Sequence, residues 1–362
     1  MRIFLLTLVL AATWPSFAAD RPTVIVVVGA EGAPEYGSEF AKWADRWIAA
    51  ANTGGANVIV IGRDGTKADR DSKTEIEDRD KLRQVFAAEV GTAPSTQPTT
   101  GPTSGPSTSS PSTRPADLPA TQPSNLQPLW LVLIGHGTFD GREAKLNLRG
   151  TDVSDQELAA WLKPARRPLA VIDCTSASAP FLNRLSGINR IIIVATRSGQ
   201  EQQYARFGDY LSTAVADPTA DLDRDGQTSL LEAYIAASTR TEAFYKEAGR
   251  LSTEHALLDD NGDALGTPAN WFDGIRATKS AKAGSTVDGH RAHQWHLVES
   301  PAERSMPVET RARRNELELQ IQGLRDRKPT IPEAAYYAQL EPMLLELARV
   351  YASATTRPSR QE

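Results

Sequence analysis

Two residues of this sequence pair a nucleophile with a base in matching local settings. His136 follows the apolar run Leu129–Ile134 in Ile134-Gly135-His136-Gly137, and Cys174 follows Leu169–Ile172 in Ile172-Asp173-Cys174. A thiolate attacks carbonyl carbon, and a nearby histidine can draw off the thiol proton and protonate a leaving amine. Gly137 has no side chain to block its N–H, so it is a candidate oxyanion donor together with the Cys174 N–H. Cys174 is the only cysteine, which excludes an intramolecular disulfide and leaves a thiol whose reactivity is worth considering.

A second chemistry lies between Asp221 and Glu232, in the sequence Asp-Leu-Asp-Arg-Asp-Gly-Gln-Thr-Ser-Leu-Leu-Glu. It matches the 12-residue EF-hand calcium loop: acidic side chains at positions 1, 3 and 5, glycine at 6 and glutamate at 12. Asp221, Asp223 and Asp225 can present oxygens to one hard cation, Gly226 permits the sharp turn, and Gln227 offers its carbonyl. Ser229 acts through water, and Glu232 closes the site bidentately from the outgoing helix. Pro218 interrupts the incoming helix, and no second loop of this pattern pairs with it. The expectation is a stabilising calcium site, not a sensor that opens a groove.

Other site patterns are weaker. His290, His293 and His296 are three apart, but on a helix the first and third point about 120° away from each other, and no cysteine or dense carboxylate cluster completes a zinc set. Asp259-Asp260-Asn261-Gly262-Asp263 reads as a solvated acidic turn that could touch a cation. No Gly-x-Ser-x-Gly, Walker or Gly-x-Gly-x-x-Gly pattern is present, so serine-hydrolase and nucleotide readings lack support.

The elements that must position these groups are five apolar runs: Thr23–Val28, Asn57–Ile61, Leu129–Ile134, Leu169–Ile172 and Arg190–Val194. Such short unalternating runs, separated by helical patterns such as Phe40, Trp43, Ala44 and Trp47, predict buried strands of a parallel sheet with helices on both faces. Ser154-Asp155-Gln156-Glu157 is a capping box opening a helix between the third and fourth runs. Apolar Phe181, Leu182 and Leu185 mark another helix soon after Cys174, whose amino terminus is expected to favour the thiolate. Functional groups gather beyond the carboxyl ends of strands in such sheets, and neighbouring strands lie about 4.8 Å apart, so His136 and Cys174 can converge.

Met1-Arg2, the apolar stretch Ile3–Ala12 and small residues up to Ala18 read as a secretory signal peptide, cleaved after Ala18. The expected location is therefore periplasmic or extracellular, with no stable membrane anchor. Residues 19–91 and 129–300 form the α/β domain. Residues 92–128, almost all Pro, Ser, Thr, Gly and Gln, read as a disordered insertion. Residues 301–362 read as a helical hairpin with stripes Leu317, Ile321, Leu324 and Leu340, Leu344, Leu347, Tyr351, broken at Lys328-Pro329-Thr330, with Pro342 a point of kink or restart. These stripes either pack within the chain or pair two copies into a homodimer. A net charge of −5 over 362 residues gives no basic bias suited to nucleic acid.

His-Gly after one strand, Asp-Cys-Thr-Ser after the next, and Ala195-Thr196-Arg197-Ser198-Gly199 after the fifth resemble the caspase-like cysteine peptidases, closest to the legumain-type branch. The resemblance spans roughly 23–262. It implies a caspase-like, mostly parallel sheet and an exported endopeptidase acting on protein or peptide substrates. His136 would be the histidine of a dyad, Cys174 the nucleophile and Gly137 the oxyanion donor. Arg197 and Ser198 would read an acidic or amide side chain just before the scissile bond. Where the family commonly has Ser-Gly after the cysteine, this chain has Ser176-Ala177. The rival expectation is a catalytically inactive calcium-binding scaffold on the same fold.

Overall fold

A computed structural model describes residues 21–63, 76–90, 126–282 and 286–355. The expected signal peptide and nearly all of the expected insertion lie outside the described residues.

In chain order the elements are β1 (Thr23–Val28), α1 (Pro34–Thr53), β2 (Asn57–Ile61), α2 (Asp78–Val90), β3 (Leu129–Ile134), β4 (Gly137–Phe139), β5 (Ala144–Leu146), β6 (Val153–Ser154), α3 (Asp155–Leu162), β7 (Leu169–Asp173) and α4 (Ala179–Leu185). There follow β8 (Arg190–Val194), α5 (Phe207–Ala214), α6 (Leu230–Glu247), β9 (Leu257–Asp259), β10 (Thr267–Pro268), β11 (Phe272–Asp273), β12 (Arg276–Ala277) and α7 (His290–His293). Three further helices close the chain: α8 (Pro301–Ser305), α9 (Val308–Asp326) and α10 (Glu333–Thr355).

The five apolar runs become β1, β2, β3, β7 and β8, all parallel to one another. The full sheet has seven strands in the order β10-β9-β8-β7-β3-β1-β2, because the short β9 and β10 add an antiparallel edge. Alternation along the strands divides the core in two. Val24, Val26, Trp130, Val132, Ala170 and Ile172 face α1, α5 and α6. Ile25, Val27, Leu131, Leu133, Val171 and Ile192 face α2, α3 and α4. Helices therefore cover both faces, and the mostly parallel α/β class is as expected.

Local signals are met where the chemistry is local. Ser154 caps α3, accepting from Glu157 N while the Glu157 side chain accepts from Ser154 N. Phe40, Trp43, Ala44 and Trp47 are the buried face of α1. Leu317, Ile321 and Leu324 are buried on α9, whereas Leu344 and Tyr351 on α10 remain exposed. Pro342 neither ends nor restarts α10, which runs unbroken from Glu333 to Thr355. No described helix is long and apolar enough to cross a membrane.

Candidate functional site

The register pairs Leu133 with Asp173 across β3 and β7, so His136 and Cys174 leave adjacent strand ends. Both also lie on the α1 side of the sheet. The His136 ring is half-buried, edge-on to Tyr36 and Phe40 with centroids 5.0 and 5.2 Å away, and its Nε2 lies 3.2 Å from the Glu31 carbonyl oxygen. Among the described residues, no hydrogen bond joins it to Cys174. Phe40 packs against both His136 and Trp43, and Trp43 and Cys174 both border Gly208 of α5. Tyr204, from the loop after β8, stacks on Tyr36 at 4.7 Å and comes within 6.0 Å of Trp43.

Cys174 is 1% exposed and belongs to the core facing α1 and α5. The packing there is tight enough that a Cβ placed on Gly208 of α5 would sit 2.7 Å from both the Cys174 Cβ and the Trp43 ring. Burial, reinforced by the neighbouring charges of Asp173 and Glu254, pushes the thiol well above its ordinary pKa. The expectation that a following helix would favour the thiolate is therefore corrected. That helix, α4, buries Phe181, Leu182 and Leu185 against the opposite face of the sheet, while strand alternation turns Cys174 away from it.

The two expected oxyanion donors are already engaged. Cys174 N–H donates to Leu133 O at 2.9 Å, continuing the β3–β7 ladder. Gly137 N–H donates to Ser176 Oγ at 3.1 Å, and that hydroxyl donates back to the Gly137 carbonyl at 3.0 Å. Gly137 is glycine for a packing reason: a Cβ would lie 2.1 Å from Ser176 O and 2.9 Å from Thr175 Oγ1. The hydroxyls against the His-Gly turn are thus those of Thr175 and Ser176. Sequence reasoning passed over them because hydroxyl residues are common and carry no spacing rule. Ala177 is held at φ 54° with its N–H donating to Glu201 O, a left-handed conformation disfavoured for any residue with a Cβ.

Asp173 completes this polar turn. Its Oδ1 accepts from Thr175 N and Thr175 Oγ1 at 3.0 and 2.6 Å, while its fully buried Oδ2 has no partner, and burial pushes its pKa up to about 7. A carboxyl raised from 3.8 to about 7 on folding is neutral in the native state at low pH. Its contribution to stability is fully present below the unfolded value and is lost as pH rises through about 7. Asp173→Asn should match the wild type in urea melts near pH 4 and become the more stable of the two by roughly a few kcal/mol at pH 8. A stability difference that does not grow with pH would show that Asp173 is ionised throughout.

Arg197 is exposed, but its charge is taken within its own loop: Nε lies 3.2 Å from Glu201 Oε1, and its N–H donates to Glu201 Oε2. Glu201 also holds His255 Nδ1 at 2.6 Å. The Ser198 carbonyl accepts from Glu201 N. The expected substrate-reading pair is thus tied into a loop clip.

Around 221–232, oxygens of Asp221, Asp223 and Asp225 lie within 4.8 Å of one another, and Gly226 turns the chain at φ 91°. Pro218 starts a single 3-10 turn where an EF-hand would have its incoming helix. Gln227 bridges, its side-chain N–H donating to Asp225 Oδ2 and its Oε1 accepting from Ser300 N. Ser229 and Glu232 are engaged with backbone amides. They form the capping box of α6, and Glu232 Oε1 also accepts from Leu222 N and Asp223 N at 2.7 and 3.2 Å. Positions 9 and 12 of the calcium pattern are the N-cap and third residue of the helix, so one spacing serves two motifs. The three aspartates fit a hard dication; Glu232 would join them by exchanging these amides for it.

The three spaced histidines separate. His290 meets Asp326, His293 Nε2 lies 3.0 Å from Asp223 Oδ2, and His296 is half-buried with its buried Nε2 unpartnered.

No protein-family model matches the sequence, and no curated protein matches it. Among solved structures, the chain is similar to the Drosophila initiator caspase Dronc, with a TM-score of 0.37 and 11% identity over 67% of this chain and 80% of that one. At that level the likeness carries no argument about chemistry, which rests on the geometry above.

Proposed function

We propose that this chain is an exported, calcium-binding α/β scaffold of caspase-like design in which His136 and Cys174 do not form a working dyad. The observation that carries this reading is the setting of Cys174: a buried thiol, its pKa pushed up by that burial, packed with Trp43 against Gly208 of α5 and with no histidine hydrogen-bonded to it. The acidic trio of 221–232 supports the calcium part, which is structural: an ion there would tie the α5–α6 connection to the start of α6. Export rests on the leader-like first eighteen residues.

A second reading, a cysteine peptidase, is favoured by one observation: His136 and Cys174 leave neighbouring strand ends on one face of the sheet. Peptide substrates carrying an electrophilic warhead separate the two. The folded protein should leave Cys174 unlabelled at neutral pH, at least about 100-fold slower than the urea-unfolded chain, since reaction needs an accessible thiolate. Rapid labelling of the native protein, lost in His136→Ala, together with peptide hydrolysis abolished by Cys174→Ala, would establish the peptidase instead.

A further inference from the structure

The turn after β9 does not behave as a solvated loop. Asp259 is 1% exposed, Asp260 3% and Asp288 1%, and among the described residues no Lys, Arg or His side chain forms an ion pair with any of these or with Asp263. Two of the four carboxylates are fully occupied by hydrogen bonds. Asp260 accepts from the N–H groups of Gly289, Arg291 and Ala292. Asp288 accepts from Asp260 N, Asn261 N and the Thr267 hydroxyl.

The other two are half-satisfied in the same manner. Asp259 Oδ1 accepts from Gly262 N at 2.9 Å, which turns its carboxylate into the turn, and Asp263 Oδ1 accepts from Leu265 N at 2.9 Å. The second oxygen of each, Asp259 Oδ2 and Asp263 Oδ2, is buried without any hydrogen-bond partner. Ser186 Oγ accepts from Ala264 N and lies near enough to Asp259 to favour its charged form. Buried carboxylate oxygens left open lose several kcal/mol of solvation with no return. Two such oxygens open in one five-residue turn could be satisfied together by one divalent cation.

We propose that the Asp259–Asp263 turn is a second, buried cation site, in which Asp259 and Asp263 ligate a hard divalent ion of calcium's kind. Asn261 and Asp263 are only partly buried, so the ion can enter from the outer side of the turn. Oxygen ligands on an irregular turn suit calcium, which tolerates varied geometry, better than magnesium. Asp259 ends β9, so the ion would fasten the antiparallel β9–β10 edge to the sheet. The proposal is independent of the 221–232 loop, whose ligands are different residues.

Equilibrium dialysis of the intact protein against calcium tests it. The wild type should bind two ions per chain, Asp221→Asn/Asp225→Asn one, Asp259→Asn/Asp263→Asn one, and the fourfold variant none. Binding of one ion by the wild type, kept in Asp221→Asn/Asp225→Asn and lost in Asp259→Asn/Asp263→Asn, would support this site while removing calcium from 221–232. The proposal is overturned if Asp259→Asn/Asp263→Asn binds as many ions as the wild type. It is equally overturned if calcium raises the melting temperature of that variant as much as that of the wild type.

Discussion

Gly208→Ala should destabilise the folded chain by roughly 1–3 kcal/mol, because the added methyl overpacks a filled core. The sign is what makes this decisive. At an open helical position the same change gains about 1 kcal/mol of helix propensity. Here the new Cβ would meet the Cys174 Cβ and the Trp43 ring at 2.7 Å, and neither can retreat: Cys174 is tied through its amide to β3 and Trp43 is fully buried. Urea unfolding of the variant measures the loss. A Gly208→Ala protein as stable as the wild type, or more so, would mean that there is room around Cys174. That is the space an approaching substrate requires, and the scaffold reading would fail with it.

Calcium should raise the melting temperature of the wild type by several degrees, since at 100-fold over Kd a single site contributes about 2.7 kcal/mol. Asp221→Asn/Asp225→Asn should remove the part of that increment due to the 221–232 loop while leaving the calcium-free protein at least as stable, because it relieves repulsion among three carboxylates within 4.8 Å. Glu232→Ala should behave differently. Glu232 is buried and accepts from Leu222 N, Asp223 N, Ser229 N and the Ser229 hydroxyl. Its loss strands those donors and should cost roughly 1–3 kcal/mol even without calcium. Differential scanning calorimetry of the variants, with calcium and with chelator, reads both effects. If Asp221→Asn/Asp225→Asn kept the whole wild-type increment, the ion would not sit in this loop; if Glu232→Ala were harmless in chelator, the capping role would be wrong.

What the sequence determined by itself is the set of features that depend on near neighbours along the chain. Short unbroken apolar runs read as sheet strands, and the limits of β1, β2, β3 and β8 are those of the runs, although β2, at the sheet edge, is only partly buried where a fully buried strand was expected. The 3.6-residue spacing of Phe40, Trp43 and Trp47 marked the buried face of α1, and the Ser154 capping box and the turn at Gly226 follow from hydrogen bonds and dihedrals a few residues long. The two- and three-residue strands β4 to β6 and β9 to β12 are too short for any period, and pairing alone defines them.

The character of the candidate sites was decided in three dimensions. Side chains alternate between sheet faces from one residue to the next, so the position of Cys174 along the chain next to a helix said nothing about which layer its thiol enters. Only the fold puts it beside Gly208, away from α4, with Ser176 Oγ accepting from the Gly137 N–H. In the same way, Asp259-Asp260-Asn261-Gly262-Asp263 reads as polar surface until the fold buries it. Solvation is lost or kept according to what packs on top, and that information resides in Asp288, Gly289 and α7, some thirty residues further along the chain.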